Sequence, residues 1–368
     1  MDYLFEQQHH ASSVALAERP QGLQELFQLC QERQASDLHL VCGEPPILRV
    51  HGALVRLPLP VLQADALEAM LSEVLSATLR ERFDQHNDVD FALTLAGVGR
   101  FRVNIHRERG MIGAAFRWLP LEIPCASDLG LSETIIDLAR RPNGLVLITG
   151  PTGMGKSTTT AALVNVINHE RSDMIISIED PIEFVHGNHK SVIRQREVAI
   201  DTPSFASALR HALRQDPDVI VVGEMRDLET IAIALTAAET GHLVLATLHT
   251  PDAPQTLERI IDVFPPHQQA QVRLQLANCL QGIVAQQLLP LASGKGRVLA
   301  TEVLINTSAV RNLIREQQTV QINSLIQTGA KYGMQTMDKA LKELVKSGKI
   351  TQEIALSRCR YPEDFHRL

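Results

Sequence analysis

The sequence predicts an α/β protein in which a smaller α+β domain is followed by a parallel-sheet core and a helical C-terminal part. Three observations carry that expectation. The apolar runs LVLIT, MIISIE, VIVVGE and LVLATLH alternate with helical spacing, as strands buried on both faces of a helix-covered parallel sheet do. GPTGMGKST, residues 150–158, stands directly between the first of these runs and the helical pattern TTAALVNVIN. Earlier in the chain the strand-like runs are shorter, punctuated by glycine and mixed with helical stretches, which reads as a separate α+β unit.

Taken in order, residues 1–20 are polar, with His9 and His10 adjacent, and read as a flexible extension. Residues 21–120 form the first domain. LQELFQLCQERQ has helical spacing, ASDLHLVCG leads on, and ILRVHG and ALVRLP are short strands split at Gly52. DALEAMLSEVLSATLRERFDQ is again helical, and DFALTLAGVG, RFRVNIHRERG and MIGAAFRWLP are three strand-length stretches. Residues 121–142, with Pro124, Pro142 and LSETIIDLARR between them, read as a linker. The core occupies 143–368, and after about residue 270 the pattern is mostly helical, including VRLQLANCLQGIVAQQLL and MQTMDKALKELVKSG.

Composition narrows the function. The chain has 368 residues, 45% of them hydrophobic, enough for two or three domains with cores of their own. A formal net charge of −7 argues against a nucleic-acid binder that works through a broad basic surface. The five cysteines, Cys30, Cys42, Cys125, Cys279 and Cys359, are scattered and form no C-x-x-C pair, which fits reduced thiols better than zinc ribbons or disulfides. No apolar run reaches the length of a membrane-spanning helix and the start lacks a signal-peptide pattern. A soluble, cytoplasmic chain without membrane insertion is expected.

The segment at 150–158 fits G-x-x-x-x-G-K-[ST], with Gly150, Gly155, Lys156 and Ser157 at the fixed positions and Pro151, Thr152, Gly153, Met154 and Thr158 filling the cradle. Such glycines let backbone N–H groups converge, and with the positive end of the following helix they make a concave anion site. Lys156 suits the outer phosphates of a triphosphate and the Ser157 hydroxyl its magnesium. VIVVG runs into Gly223-Glu224, where many ATPases carry an aspartate before the glutamate. Glu224 is placed to orient or deprotonate the attacking water, unless it caps the helix of EMRDLETI. In IISIEDPIEF, three carboxylates, Glu179, Asp180 and Glu183, fall within five residues at a strand exit, and a magnesium ion would relieve their repulsion. An exposed acidic turn is the plainer alternative. His242 and His249 bracket the strand in TGHLVLATLHT and point to opposite faces if it is regular, so one metal does not hold both. Either is a core histidine or a sensor of nucleotide state. Charge on a γ-phosphate is commonly met by arginine, often from a neighbouring subunit. The first domain offers Arg100, Arg102, Arg107, Arg109 and Arg117.

Together, GPTGMGKST, IEDPIEF, VIVVGEMRDLETI, TGHLVLATLHT and AVRNLIRE resemble the type IV pilus and type II secretion ATPase family, with the pilus retraction ATPases as the nearest branch. The resemblance runs from ASDLHL to the C-terminal region. It implies a PAS-like N-terminal domain joined to a RecA-like P-loop ATPase domain, assembled as a homohexamer at the cytoplasmic, inner-membrane base of a pilus machine. Its partners would be the inner-membrane platform protein and a second retraction ATPase, and its cofactors ATP and Mg2+. It further implies that Lys156 and Ser157 bind nucleotide and magnesium, that Glu183 activates water, and that Glu224 is the Walker B glutamate, with Glu179 beside them in the metal set. His242 and His249 would sense nucleotide, and Arg102 and Arg117 lie in the region that reaches a neighbouring site. AVRNLIRE, residues 309–316, matches a motif tied to retraction rather than hydrolysis. Its Val310, Leu313 and Ile314 share one helical face and Arg311 and Arg315 another. Met154 stands where serine is common in the loop. The expected activity is ATP hydrolysis driving pilus retraction and twitching motility. An extension or secretion motor, or an accessory retraction subunit with little turnover, is the alternative.

Overall fold

A computed structural model describes residues 22–50, 52–95, 98–119 and 122–365; the polar extension at 1–20 lies outside them. The chain divides between Leu119 and Pro120 into two compact units. The first holds strands β1 (Asp37–Leu40), β2 (Ile47–Val50), β3 (Ala53–Arg56), β4 (Asp88–Leu95), β5 (Gly99–Glu108) and β6 (Met111–Leu119). They form one antiparallel sheet in the order β3-β2-β1-β6-β5-β4. On β5 the period of two is plain: Phe101, Val103 and Ile105 are buried, with Arg100, Arg102 and Asn104 between them on the opposite face. Helix Leu23–Glu32 lays Leu23, Leu26, Phe27 and Cys30 on the apolar side. There the Phe27 ring lies 4.3 Å from Phe101 and 5.0 Å edge-on to Phe116, the tilted geometries that aromatic quadrupoles favour. The helical stretch 65–85 is two helices, Ala64–Ser72 and Ala77–His86, because the Ser76 hydroxyl accepts from Leu79 N and starts the second afresh.

In the second unit the strands are β7 (Gly144–Thr149), β8 (Met174–Glu179), β9 (Val192–Glu197), β10 (Val219–Val222), β11 (Leu243–Leu248), β12 (Leu280–Pro290) and β13 (Arg297–Ile305). Their order is β13-β12-β7-β11-β10-β8-β9, parallel throughout except for β13 at the edge. Successive residues go to opposite cores. Leu145, Leu147, Ile176, Ile178, Ile220, Val222, Val244 and Ala246 pack on one face, and Val146, Ile148, Ile175, Val219, Val221, Leu243 and Leu245 on the other. That double burial erases polar alternation and leaves the unbroken apolar runs seen in the sequence.

Two expectations need correction. The segment 121–142 is not a spacer: Ala126, Leu131, Ile135, Leu138 and Ala139, most of them from helix Glu133–Ala139 and its approach, belong to the second core. Residues 272–289 are not one helical run either. The helix ends at Cys279 and β12 follows at once. β12 is buried on both faces for most of its length, so period gave no warning, and Gly282 is the local clue. A Cβ there would come within 2.8 Å of the Leu304 carbonyl and 2.9 Å of Leu138, a fit suited to a close sheet crossing rather than a helix. After β13 the chain is helical as expected, with Ser308–Arg315, Ile322–Thr328, Met337–Lys346 and Gln352–Leu356.

Candidate nucleotide site

The carboxyl ends of parallel strands, where order in the sheet jumps, are where α/β folds bind ligands. β7 delivers Thr149 there, and the glycine loop turns from it into helix Lys156–Glu170. Gly150 has φ +142°, and a Cβ on it would lie 2.5 Å from the Gln286 carbonyl; only glycine fits. Gly155 is left-handed at the helix N-cap, with φ 81°, so the first helical N–H groups face the loop. Pro151, Thr152, Gly153 and Ser157 are exposed at its mouth, while Met154 and Thr158 are half-buried. Lys156 is buried. Its Nζ donates to the carbonyls of Gly150 at 2.7 Å and Pro151 at 3.1 Å, and lies 3.4 Å from His249 Nδ1. Burial lowers its affinity for a proton, and the charges of Glu224 and Glu183 oppose that pull.

Leu248, the last residue of β11, pairs in register with Thr149, so His249 emerges beside the loop. Its Nδ1 is 3.3 Å from Thr152 Oγ1 and its Nε2 3.0 Å from Glu224 Oε1. Glu224 follows β10 and is also held by Arg226 Nε at 2.5 Å. Burial favours its neutral form, but the Arg226 hydrogen bond and the charges of His249 and Arg226 bring its carboxyl below the usual range. The helix that follows is capped by Asp227, whose Oδ1 accepts from Thr230 N at 2.8 Å. Glu224 is thereby released from the capping role. Gly223 has a steric reason: a Cβ would sit 3.1 Å from the Ile178 carbonyl and 3.2 Å from Glu179 Cα. An aspartate would press on β8.

Glu179 ends β8 and is already engaged, accepting from Ser177 Oγ at 2.6 Å and Gln195 Nε2 at 2.9 Å. Burial raises its pKa, and the nearby Glu183 adds to the rise. Glu183 is half-buried, and its charge reaches both Glu179 and Lys156. Among the described residues no three His, Cys, Asp or Glu side chains form a metal cluster. Ser157, Glu179, Glu183 and Glu224 are thus no closed cage. That donor set fits magnesium only in its usual open manner, with a hydroxyl, a carboxylate, water and substrate phosphates sharing the ion.

With this geometry in view, residues 127–357 match the family model described as type II/IV secretion system protein. The chain belongs to that family. It is 47% identical over 341 residues to the type IV pilus retractation ATPase PilT of Pseudomonas aeruginosa, covering 93% of this chain and 99% of that one. To the type IV pilus ATPase PilU of the same organism it is 40% identical, covering 93% and 89%. A crystal structure of the pilus retraction motor PilT with bound ADP superimposes with a TM-score of 0.88 at 48% identity, over 94% of this chain and 99% of that one. The family's ATPase fold, with its preceding N-terminal domain, is the fold of this chain.

The secretion-family site does not gather every residue that the sequence nominated. His242 precedes β11, while His249 follows it. At about 3.3 Å per residue the strand between them spans roughly 20 Å. His242 Nδ1 is instead 2.9 Å from the Ala237 carbonyl and 3.3 Å from Thr240 Oγ1, at the sheet end away from the loop. Arg102 and Arg117 face each other across β5 and β6, and Arg117 Nε donates to Asp37 Oδ1 at 2.9 Å. Two cations directly opposite repel, and Asp37 offsets one of them. Sequence reasoning missed Arg226 and Gln286. No sequence signal marked the second, because its stretch reads as helical and its burial shows only in the fold.

Proposed function

We propose that this chain is a Mg-ATP-driven motor, acting as a ring of six copies at the cytoplasmic base of a pilus machine and working on a membrane-embedded platform protein to withdraw the filament. The observation that supports it best is the unbroken contact chain from Lys156 through His249 to Glu224, which ties the ends of β7, β11 and β10 into one site. Lys156, held by two loop carbonyls, has only to exchange them for phosphate oxygens, so the cationic site is built before nucleotide arrives. Magnesium, held by Ser157 and by a carboxylate from the acidic loop, would neutralise phosphate charge. Glu183 is the base for water, since Glu179 is committed to Ser177 and Gln195 and Glu224 to Arg226 and His249. Glu224 orients His249, which reports phosphate occupancy to β10 and β11. Arg102 and Arg117 serve a neighbouring copy's nucleotide.

The helix Ser308–Arg315 completes the reading. Val310 and Ile314 are fully buried and Leu313 packs beside them, with Arg311 exposed. Its apolar face anchors it and its outer face is available to pass movement on. Steady-state ATP hydrolysis by the purified chain, wild type against Glu183→Gln, is the test. The expected result is clear wild-type turnover that falls at least about a hundredfold in the variant, with ADP binding kept. A variant that retains turnover removes Glu183 as the base. A wild type that binds nucleotide without hydrolysing it points to an accessory subunit.

A further inference from the structure

β12 outruns its neighbour. Its Ala285 pairs with Thr149, the last residue of β7, so the five residues from Gln286 to Pro290 continue past the strand end and lie alongside the phosphate loop. The overhang touches the loop at both ends. At the start, the Gln286 carbonyl approaches Gly150 so closely that no side chain fits between them. Near the finish, Gln286 Nε2 donates to the Met154 carbonyl at 2.7 Å, and Leu288 N–H donates to Met154 Sδ at 3.3 Å. Gln286 is completely buried, and its Oε1 is buried without a hydrogen-bond partner among the described residues. Burying a primary amide costs free energy that a single bond only partly offsets. Gln281 and Gln287 in the same strand are only partly buried, so the cost falls on Gln286 and calls for a purpose.

We propose that Gln286 is a positioning residue of the nucleotide site, a brace that sets the phosphate loop in its binding shape before nucleotide arrives; this rests on the ATPase reading above. The peptide bond supplies the mechanism. It is planar and trans, so the Met154 C=O and the Gly155 N–H point in opposite directions. Pinning the carbonyl to β12 aims the Gly155 N–H away from β12, toward the phosphates. A glycine loop otherwise pays a large ordering cost on binding, and the brace removes part of it in advance. Met154 gains a reason as well. Its thioether accepts the Leu288 N–H, a second tether from the same overhang, which a shorter serine side chain reaches less readily.

The test uses the full chain in three forms, wild type, Gln286→Leu and Gln286→Glu, with a fluorescent ADP analogue for Kd and steady-state hydrolysis for KM and kcat. Gln286→Leu keeps the volume and loses the donor. Its Kd and KM are expected to rise about tenfold with kcat within about twofold, because the loss falls on loop ordering and not on the chemical step. Gln286→Glu places an acceptor against the Met154 carbonyl at pH 8 and regains a donor when protonated. Its Kd should improve at least about fivefold between pH 8 and pH 6 relative to wild type, as the protonated side chain donates again to the Met154 carbonyl and its charge no longer opposes the phosphates. Unchanged Kd in Gln286→Leu, or a pH response in Gln286→Glu identical to wild type, overturns the brace. If Gln286→Leu loses its fold, as seen by thermal unfolding without nucleotide, the Gln286→Glu pH comparison decides alone. A wild type that binds ADP but does not hydrolyse ATP removes the motor and leaves the brace to stand on Kd; a normal motor with unchanged Kd in the variants removes only the brace.

Discussion

The two ends of β11 carry the same residue type to opposite fates. At the carboxyl end His249 meets Thr152, Lys156 and Glu224. At the amino end the His242 ring meets, among the described residues, the backbone and hydroxyl of its own turn, Ala237 O and Thr240 Oγ1. The difference comes from the sheet and not from the histidines. Parallel strands bring their carboxyl ends, and the loops that leave them, to one edge. A residue at that edge joins a constellation drawn from several strands, while one at the other edge bonds locally.

The largest break in this comparison comes from the loop itself. Lys156→Ala removes the buried ammonium to which the carboxyl-end contacts converge, and ATP turnover is expected to fall about a thousandfold, equivalent to ~4 kcal/mol of transition-state stabilisation. Phosphate-release assays check it. Folding should survive, because alanine leaves no buried charge behind; a variant that unfolds would mean that Lys156 holds the loop rather than the nucleotide.

A third histidine sharpens the contrast through pH. His186 follows the acidic segment, and its backbone N–H donates to Gln195 Oε1 at 2.9 Å. The same Gln195 donates from Nε2 to Glu179 and to the Phe184 carbonyl. The His186 Nδ1 is buried without a hydrogen-bond partner among the described residues, and burial pushes its ring down to about 4 from 6.5. Below pH 6.5 the unfolded chain takes up a proton that the folded ring refuses. Stability is therefore lost as pH falls from 6.5 to about 4 and is untouched by this group above 6.5, with a full loss on the order of 3 kcal/mol. Urea midpoints at pH 7, 5.5 and 4.5 should show that decline in wild type and a shallower one in His186→Gln. Parallel declines would show the ring to be solvated.

How much of this was legible in the sequence follows from where each contact is made. β7, β8, β10 and β11 were legible because burial on both faces writes itself as continuous apolar residues, and the loop because its glycines, Lys156 and Ser157 are contiguous. β12 was hidden by the helix that runs into it without a break at Cys279. The packing of 121–142 was hidden by the prolines at its ends. Gln286 reaches Met154 across 132 positions, and no local pattern encodes that. The histidines were the hardest case. Both flank one strand, and only the register of β11 on β7 tells which of them the loop meets.

The smallest effects test that register directly. His249→Ala deletes a ring that touches the Thr152 hydroxyl, Lys156 and Glu224, so kcat/KM for ATP should fall about tenfold, ~1.4 kcal/mol. His242→Ala deletes the ring contacts to Ala237 O and Thr240 Oγ1 at the far edge. It should cost about 1 kcal/mol of folding stability, read by urea unfolding, and leave ADP affinity of the isolated subunit within about twofold. The pair is informative because both substitutions remove the same atoms from the two flanks of one strand. Equal losses of nucleotide affinity would mean that β11 transmits strain along its whole length. A loss confined to His249 would mean that the carboxyl edge alone reads the phosphate, and that any part His242 plays in the motor depends on another copy.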